Sequence, residues 1–181
     1  MSHTIETIFL ESVIKQLRDH KGLADKTFSQ LEEADFHFQP GTESNSIAII
    51  IQHMSGNMLS RWTNFLTEDG EKPWRERDTE FGVHPLTRQQ LIEKWQKGWE
   101  CLFNALQQLT GDDLGKTIYI RTEPHSVVDA INRQLAHYPY NVGQIVYLGK
   151  MIKNENWKNL SVKKGLSADY NVMKKNERVS P

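Results

Sequence analysis

The stretch LTRQQLIEKWQKGWECLFNALQQLTG, residues 86–111, decides the fold because it contains the strongest helix signal in the chain. Thr87 and Gln90 have the spacing of a capping box, which marks the start of a helix. Gly111 ends the helical pattern. Between these signals one continuous apolar stripe repeats every three or four positions: Leu91, Trp95, Trp99, Leu102, Leu106 and Leu109. A stripe confined to one face predicts a helix that packs against other helices.

Three further segments show the same helical periodicity, over residues 5–22, 46–65 and 126–152. Ser46 and Ser126 begin two of them, and serine is a favoured N-cap residue because its hydroxyl accepts a backbone hydrogen bond. Together with the segment quoted above, they predict four amphipathic helices, which is the number that a simple helical bundle requires.

The connections between the helices complete the expected architecture. Residues 117–121 alternate β-type side chains and Pro124 closes that stretch, which indicates a short hairpin. Residues 67–86 are rich in glycine, proline and charge, so we expect a long connection across the end of the bundle. The sequence thus predicts an all-α fold, a four-helix bundle with a long crossover and a short β-hairpin before the last helix.

We expect the bundle to occupy residues 1–160 and a basic extension to occupy residues 161–181. From Lys153 onward the chain has seven lysine or arginine residues against three acids, with few large apolar side chains after Leu160. This composition favours a solvated or partly ordered tail, and a basic arm that binds a partner is the alternative.

The composition is that of an ordinary soluble protein. The chain has 181 residues, 38% of them hydrophobic and 25% charged, and a net charge of -1. This balance gives no general attraction to nucleic acid or membrane, and no apolar run approaches the roughly 20 residues that span a bilayer. The first ten residues lack the apolar region of a signal peptide. The single cysteine, Cys101, forms no internal disulfide. We therefore expect a cytoplasmic protein with neither a membrane nor a nucleic-acid partner.

Candidate site residues lie in two of the predicted helices. His137 and Asn141 are four positions apart, so their side chains share one helix face. With His53 from a facing helix, they could hold a metal ion between helices. The same polar groups could instead hydrogen-bond one another as a satisfied polar layer, and spacing leaves both interpretations open. Pro139, between His137 and Asn141, bends the helix at that point.

Other kinds of chemistry find little support in the sequence. Cys101 lies among apolar residues with no adjacent cation or histidine, which favours a packed thiol over a nucleophile. The chain has no glycine-rich phosphate loop and no basic recognition helix. Trp74 lies in the polar crossover, where it could cover a pocket or dock against a second subunit.

Two groups of motifs carry a resemblance to a known family. They are NSIA at residues 45–48 followed by IQHM at residues 51–54, and HYPYNVGQI at residues 137–145. In these motifs the chain resembles the DinB-like family, also called YfiT-like. Residues 67–74 and 157–165 are similar to a Bacillus-type subfamily, and the resemblance covers most of the chain.

The resemblance implies a four-helix bundle of up-down-down-up character, often a homodimer. It also implies a divalent metal, zinc or nickel, held by one histidine from the second helix and an H-x-x-x-H pair on the fourth. His53 and His137 match two of these ligands, and Asn141 stands where the third histidine is expected. An asparagine oxygen is a weaker ligand for these metals than imidazole, so the implied centre is degenerate. His84 and His125 are candidates to replace the missing ligand.

Two functions follow from this resemblance. The first is a metal-dependent transferase or isomerase that activates a low-molecular-weight thiol for attack on an electrophile, with Tyr140 or Gln144 orienting the substrate. The second is a non-catalytic, dimeric protein, associated with stress or binding a small-molecule ligand, that has lost the full metal centre. Asn141 favours the second function, and metal content distinguishes the two.

Overall fold

Four long helices and one short hairpin make up the bundle. The computed structural model describes residues 4–82, 84–163 and 165–179. In chain order the elements are α1 (Ile5–Phe28), α2 (Ile47–Trp62), α3 (Arg88–Gln108), β1 (Thr117–Ile120), β2 (Glu123–Ser126), α4 (Val127–Lys153) and α5 (Ser167–Val179). The expected all-α bundle with a short hairpin before its last helix is confirmed.

Local capping explains where three of these helices begin. The hydroxyl of Ser46 accepts a hydrogen bond from the backbone N–H of Ile49, and Ser126 caps α4 in the same way. Thr87 and Gln90 form the complete capping box of α3, with both reciprocal hydrogen bonds present. Each cap satisfies a backbone donor that the first helical turn leaves without a partner.

Two helix ends differ from the sequence expectation. Helix α1 continues through Gly22 to Phe28, because its buried face continues through Ala24 to that residue. Helix α2 ends at Trp62 rather than Phe65, because the chain turns out of the helix and Asn64 has a positive φ of 50°. Tertiary packing therefore determines the end of α1, and a local turn determines the end of α2.

The four long helices pack as a closed ring around one hydrophobic core. Helix α2 contacts α3 and α4, and α1 contacts α4 and α3, so the order around the bundle is α1, α4, α2, α3. The largest fully buried side chains include Trp95, Trp99, Tyr138, Phe36, Met54 and Met58. This arrangement places α2 beside α4, which brings together the two helices that contain the candidate site residues.

The crossover between α2 and α3 is fixed at its start to both α2 and the hairpin. The Ser60 hydroxyl donates to the carbonyl of Gly70 at 2.8 Å, and Gly70 donates its N–H to the carbonyl of Tyr119. The Asp69 carboxylate accepts the N–H groups of Arg121 and Thr122 at 2.8 and 2.7 Å. Those two residues form the hairpin turn with positive φ, a conformation that needs such support in non-glycine residues.

The C-terminal extension contains α5, which the periodicity analysis did not predict. The side chains described for Ser167 to Asn176 are all exposed. Among the helices that the structure describes, none combines the length and apolarity needed to cross a membrane.

Candidate functional site

His53 of α2 and His137 of α4 meet between the two helices. Their Nε2 atoms lie 3.3 Å apart, and the two rings are nearly perpendicular, with an interplanar angle of 85°. His53 is 8% exposed, and His137 is partly buried. The structure therefore brings together the two histidines that the sequence analysis predicted as site residues on separate helices.

Glu80, in the crossover, holds the other nitrogen of His53. Its Oε2 atom lies 3.0 Å from His53 Nδ1, and Arg75 donates to both carboxylate oxygens at 2.8 and 2.9 Å. Burial alone would raise the pKa of Glu80, but hydrogen bonds from His53 and Arg75 outweigh it and lower that pKa. The ionised carboxylate consequently accepts from His53 Nδ1–H and orients the imidazole.

The neutral form of His137 follows from its surroundings. Burial lowers the pKa of His137 to about 4, and the electrostatic effects of His53 and of the guanidinium groups of Arg61, Arg75 and Arg133 act in the same direction. Its Nδ1 atom is buried and has no hydrogen-bond partner among the described residues. At neutral pH this ring is therefore an uncharged donor–acceptor group.

Gly56 makes room for Glu80. A Cβ atom at this position of α2 would overlap the Glu80 carboxylate. The 3₁₀ turn Arg77–Phe81 consequently lies close against α2, and the Phe81 ring lies 4.8 Å from the His53 ring. Gly56, about one turn after His53, therefore leaves the space in which the crossover places the Glu80 carboxylate beside His53.

A small polar cavity of about 180 Å³ opens beside the histidine pair. His53, Asn57, Gln134 and His137 line it, and five arginines complete the lining: Arg61, Arg75, Arg77, Arg121 and Arg133. They come from α2, the crossover, the hairpin turn and α4. The cavity is therefore built from elements that are distant in sequence and is strongly basic.

A buried polar chain supports the cavity from the core side. Trp62 donates its indole N–H to the hydroxyl of Tyr138 at 3.0 Å, and that hydroxyl donates to Asn57 Oδ1 at 2.9 Å. Burial raises the pKa of Tyr138, so its hydroxyl stays protonated. This chain fixes the amide of Asn57 at the cavity wall.

Asn141 is buried next to this site but does not line the cavity. It is 6% exposed, and its amide nitrogen donates to the carbonyl of His137 at 2.9 Å. The bond runs back along its own helix, as polar side chains often do at a spacing of four residues. Whether Asn141 contributes to metal binding stays a prediction.

The described side chains at this site can supply two ligands to a metal ion but not three. Two imidazole nitrogens on one tetrahedral zinc ion lie about 3.3 Å apart, given zinc–nitrogen bonds of about 2.0–2.1 Å. The His53 to His137 separation matches that value. Among the described residues, however, no three histidine, cysteine, aspartate or glutamate side chains are grouped so that they could hold a metal ion. The nearby guanidinium groups also repel a dication, so the site does not fit a complete metal centre.

The other histidines named from the sequence lie elsewhere. His84 Nε2 lies 2.7 Å from the carbonyl of Thr79, and His125 Nδ1 bonds the carboxylate of Asp129. Both imidazoles thus have local partners. The structure does not bring either of them together with His53 and His137 as a third ligand.

The remaining candidates also lie outside the cavity lining. Cys101 is partly buried, with its sulfur 3.6 Å from the Thr63 hydroxyl. Trp74 is 57% exposed and lines a separate depression of about 410 Å³, which Glu80 also lines. Tyr140 is 69% exposed, and Gln144 is partly buried.

Sequence reasoning missed Glu80, Arg75 and Arg61. The first two lie in a crossover without periodicity, so no pattern distinguished them from solvated charges. Arg61 could have been found, because it is the only lysine, arginine or acid in the predicted second helix and directly precedes Trp62.

Comparison with known proteins identifies the family. Residues 4–166 match the family described as protein of unknown function (DUF1572). This chain belongs to that family. No curated protein matches the chain. The matched segment covers the whole bundle and includes His53, Glu80 and His137, so the site lies inside the part of the chain that defines the family.

Proposed function

We propose that this protein is a DinB-like bundle that binds a small molecule in the cavity beside His53 and His137 and has lost the complete metal centre. The DinB-like assignment is supported by the motifs at residues 45–54 and 137–145 and by the four-helix architecture with its long crossover. The cavity lies where the resemblance expects the metal ligands to converge.

The observation that carries this proposal is the composition of the cavity wall. Two histidines and five arginines line it, and no acid is among the described lining residues, although Arg75 and Arg121 pair with Glu80 and Glu71. A dication needs neutral or anionic ligands. The guanidinium groups of the lining arginines instead provide hydrogen-bond donors, which suit a small molecule with acceptor atoms. The site is thus better suited to a small polar molecule than to a zinc or nickel ion.

A second candidate function is a metal-dependent transferase that uses a low-molecular-weight thiol. The spacing of the two Nε2 atoms favours it, because it equals that of two ligands on one tetrahedral ion. The carboxylate of Glu80 on His53 Nδ1 is also the usual outer support of a metal-bound histidine. In this case water or the thiol would have to complete the ligand set.

A nuclear magnetic resonance screen tests the proposed ligand binding. Untagged protein with labelled histidine is exposed to a set of anionic, cationic and neutral small molecules, and the ring signals of His137 and His84 are followed. The proposal expects at least one compound to shift the His137 signal saturably while leaving His84, outside the cavity, unchanged. If no class of compound shifts His137, the cavity is not a small-molecule site.

We also propose that the protein is a cytoplasmic homodimer, as the DinB-like resemblance implies. Tyr140, Tyr147 and Met151 support the dimer, because they lie on one face of α4 and are 69%, 70% and 39% exposed. Light scattering of the purified chain tests this expectation. A monomer at all concentrations would contradict it.

A further inference from the structure

The cavity contains a buried charge without a partner. Arg61 is 4% exposed, and its Nε and Nη1 atoms are buried without any hydrogen bond to the described part of the chain. Burial lowers the pKa of Arg61, and Arg133 and Arg75 add to that effect. A guanidinium stays charged in proteins, so an unpaired one in the interior is unfavourable unless something outside the chain pairs with it.

The acids around Arg61 are already engaged with other groups. Glu80 binds Arg75 and His53, and Glu71 lies 3.2 Å from Arg121. Glu71 also lies 3.8 Å from Arg75, and it attracts Arg61 only from beyond ion-pair distance.

Asp69 accepts the backbone N–H groups of Glu71, Arg121 and Thr122, and it attracts Arg61 only from beyond ion-pair distance. No described acid therefore forms an ion pair or a hydrogen bond with Arg61.

Two further arginines of the cavity have no ion pair within the described residues. Arg77 and Arg133 are exposed at its rim, and neither lies within 4.0 Å of a described carboxylate. With Arg61, three of the arginines that line the cavity therefore have no ion pair with a described acid. A planar guanidinium donates two parallel hydrogen bonds, which matches the oxygens of a phosphate or a carboxylate.

Gln134 adds a further unsatisfied group to the cavity wall. It is 2% exposed, and its Oε1 atom is buried without a partner among the described residues. A buried amide oxygen accepts a hydrogen bond from a hydroxyl or a protonated oxygen. Hydrogen phosphate, or an acid that also has a hydroxyl, would satisfy this acceptor together with the arginines.

The size of the cavity limits what enters it. Sites for whole drug-sized molecules occupy about 300–1,000 Å³. A cavity of about 180 Å³ holds a single phosphate or carboxylate group, while the rest of a ligand would extend past the rim arginines. The site therefore suits the charged end of a small molecule.

From these observations we infer that the cavity is a binding site for an oxyanion, either a phosphate or a carboxylate group of a small ligand, with Arg61 as its buried anchor and Arg133 at its rim. This inference names the ligand class for the proposed binding function and rests on it. It needs no metal ion at the histidine pair.

Calorimetric titration with defined anions tests the inference. Untagged protein is titrated with inorganic phosphate and, separately, with malonate as a dicarboxylate, at constant ionic strength in sodium chloride. The expected result is saturable binding of at least one of them with one site per chain, and the tighter of the two identifies the head group. Saturable binding of neither overturns the inference.

Arginine variants show whether the anion occupies this cavity. Arg61→Gln is expected to weaken binding about tenfold or more, because a hydrogen-bonded charge is lost. Arg133→Gln, at an exposed position that leaves folding intact, is expected to weaken it severalfold. Arg18→Gln, an exposed arginine of α1 outside the cavity, is the matched control and should bind as the parent does. Equal affinity in the parent and in both cavity variants would overturn the inference.

The two proposals fail in different ways. If neutral or cationic compounds shift the His137 signal but phosphate and malonate do not bind, the cavity is a ligand site and only the oxyanion inference is wrong. If no compound of any charge shifts His137, the proposed binding function fails as well.

Discussion

Glu80 joins the crossover to α2 through His53, with 3.0 Å between the carboxylate Oε2 and the imidazole Nδ1. Arg75 holds the same carboxylate from the crossover itself. Both side chains of the Glu80–Arg75 pair are largely buried, at 10% and 3% exposed. The orientation of the histidine pair and the position of the crossover therefore depend on one carboxylate.

Replacing Glu80 with Gln should destabilise the protein and free His53. Removing one partner of a buried ion pair costs about 3–5 kcal/mol, and the remaining amide contacts reduce this to about 2–3 kcal/mol here. Urea unfolding measures the loss. Glu76→Gln, at an exposed position of the same crossover, is the control and should change the free energy of unfolding by less than about 0.5 kcal/mol.

The cost of Glu80→Gln should depend on pH. The pKa of Glu80 is lower in the folded protein than its ordinary value of 4.5, so its charge stabilises the fold fully above pH 4.5. That contribution is lost as the pH falls through the folded pKa. The stability difference between the parent and the variant should therefore be constant near neutral pH and shrink below pH 4.5. A difference that grows on acidification would contradict the assignment of an ionised Glu80.

Gly56→Ala should displace Glu80 from His53. The added methyl group would overlap a carboxylate that Arg75 holds in place, so the crossover has to move. Gly22 and Gly143 are matched controls within helices, because a Cβ at either position meets no atom within 4 Å.

Alanine at the two control positions should stabilise the protein by about 0.5–1 kcal/mol through helix propensity. At Gly56 the same change should destabilise it and alter the His53 ring signal. Stabilisation in all three variants would show that Glu80 does not lie against α2.

Tyr138→Phe should destabilise the core. The tyrosine hydroxyl is both an acceptor from Trp62 and a donor to Asn57, so its loss leaves two buried groups without partners. Each unsatisfied group costs about 1–3 kcal/mol, which predicts a total loss of about 2–6 kcal/mol. Tyr140→Phe, on the exposed side of the same helix, is the control. Equal urea midpoints for the two variants would contradict the polar chain.

The helical part of the fold was predictable because its signals are local. The caps at Ser46, Thr87 and Ser126 depend on residues three positions apart, and the apolar stripes depend on spacings of three and four. The extension of α1 to Phe28 was not predictable in this way, since it depends on packing against other helices.

The site was predictable only in its helical half. His53 and His137 stand out because they are polar residues beside apolar stripes. Glu80 and Arg75 lie in a segment without periodicity, and what distinguishes them is that the crossover folds back against α2 at Gly56. Such a contact between distant parts of the chain is a property of the tertiary structure and leaves no local pattern.

Asn141→His should raise the affinity for zinc or nickel at least about tenfold, because it restores a third imidazole one turn from His137. In the parent chain the Asn141 amide donates to the carbonyl of His137, so the new imidazole has to point away from that carbonyl to reach the site. Asn132→His, at an exposed position of α4, is the control for adding a histidine to that helix. Titration with zinc measures both variants, and equal affinities would show that position 141 does not face the site.

The metal content of the purified, untagged protein tests the central claim most directly. We expect elemental analysis to find well below one equivalent of zinc or nickel per chain, with the same content in His53→Ala as in the parent. One equivalent of metal per chain, lost in both His53→Ala and His137→Ala, would contradict the claim that the complete metal centre has been lost.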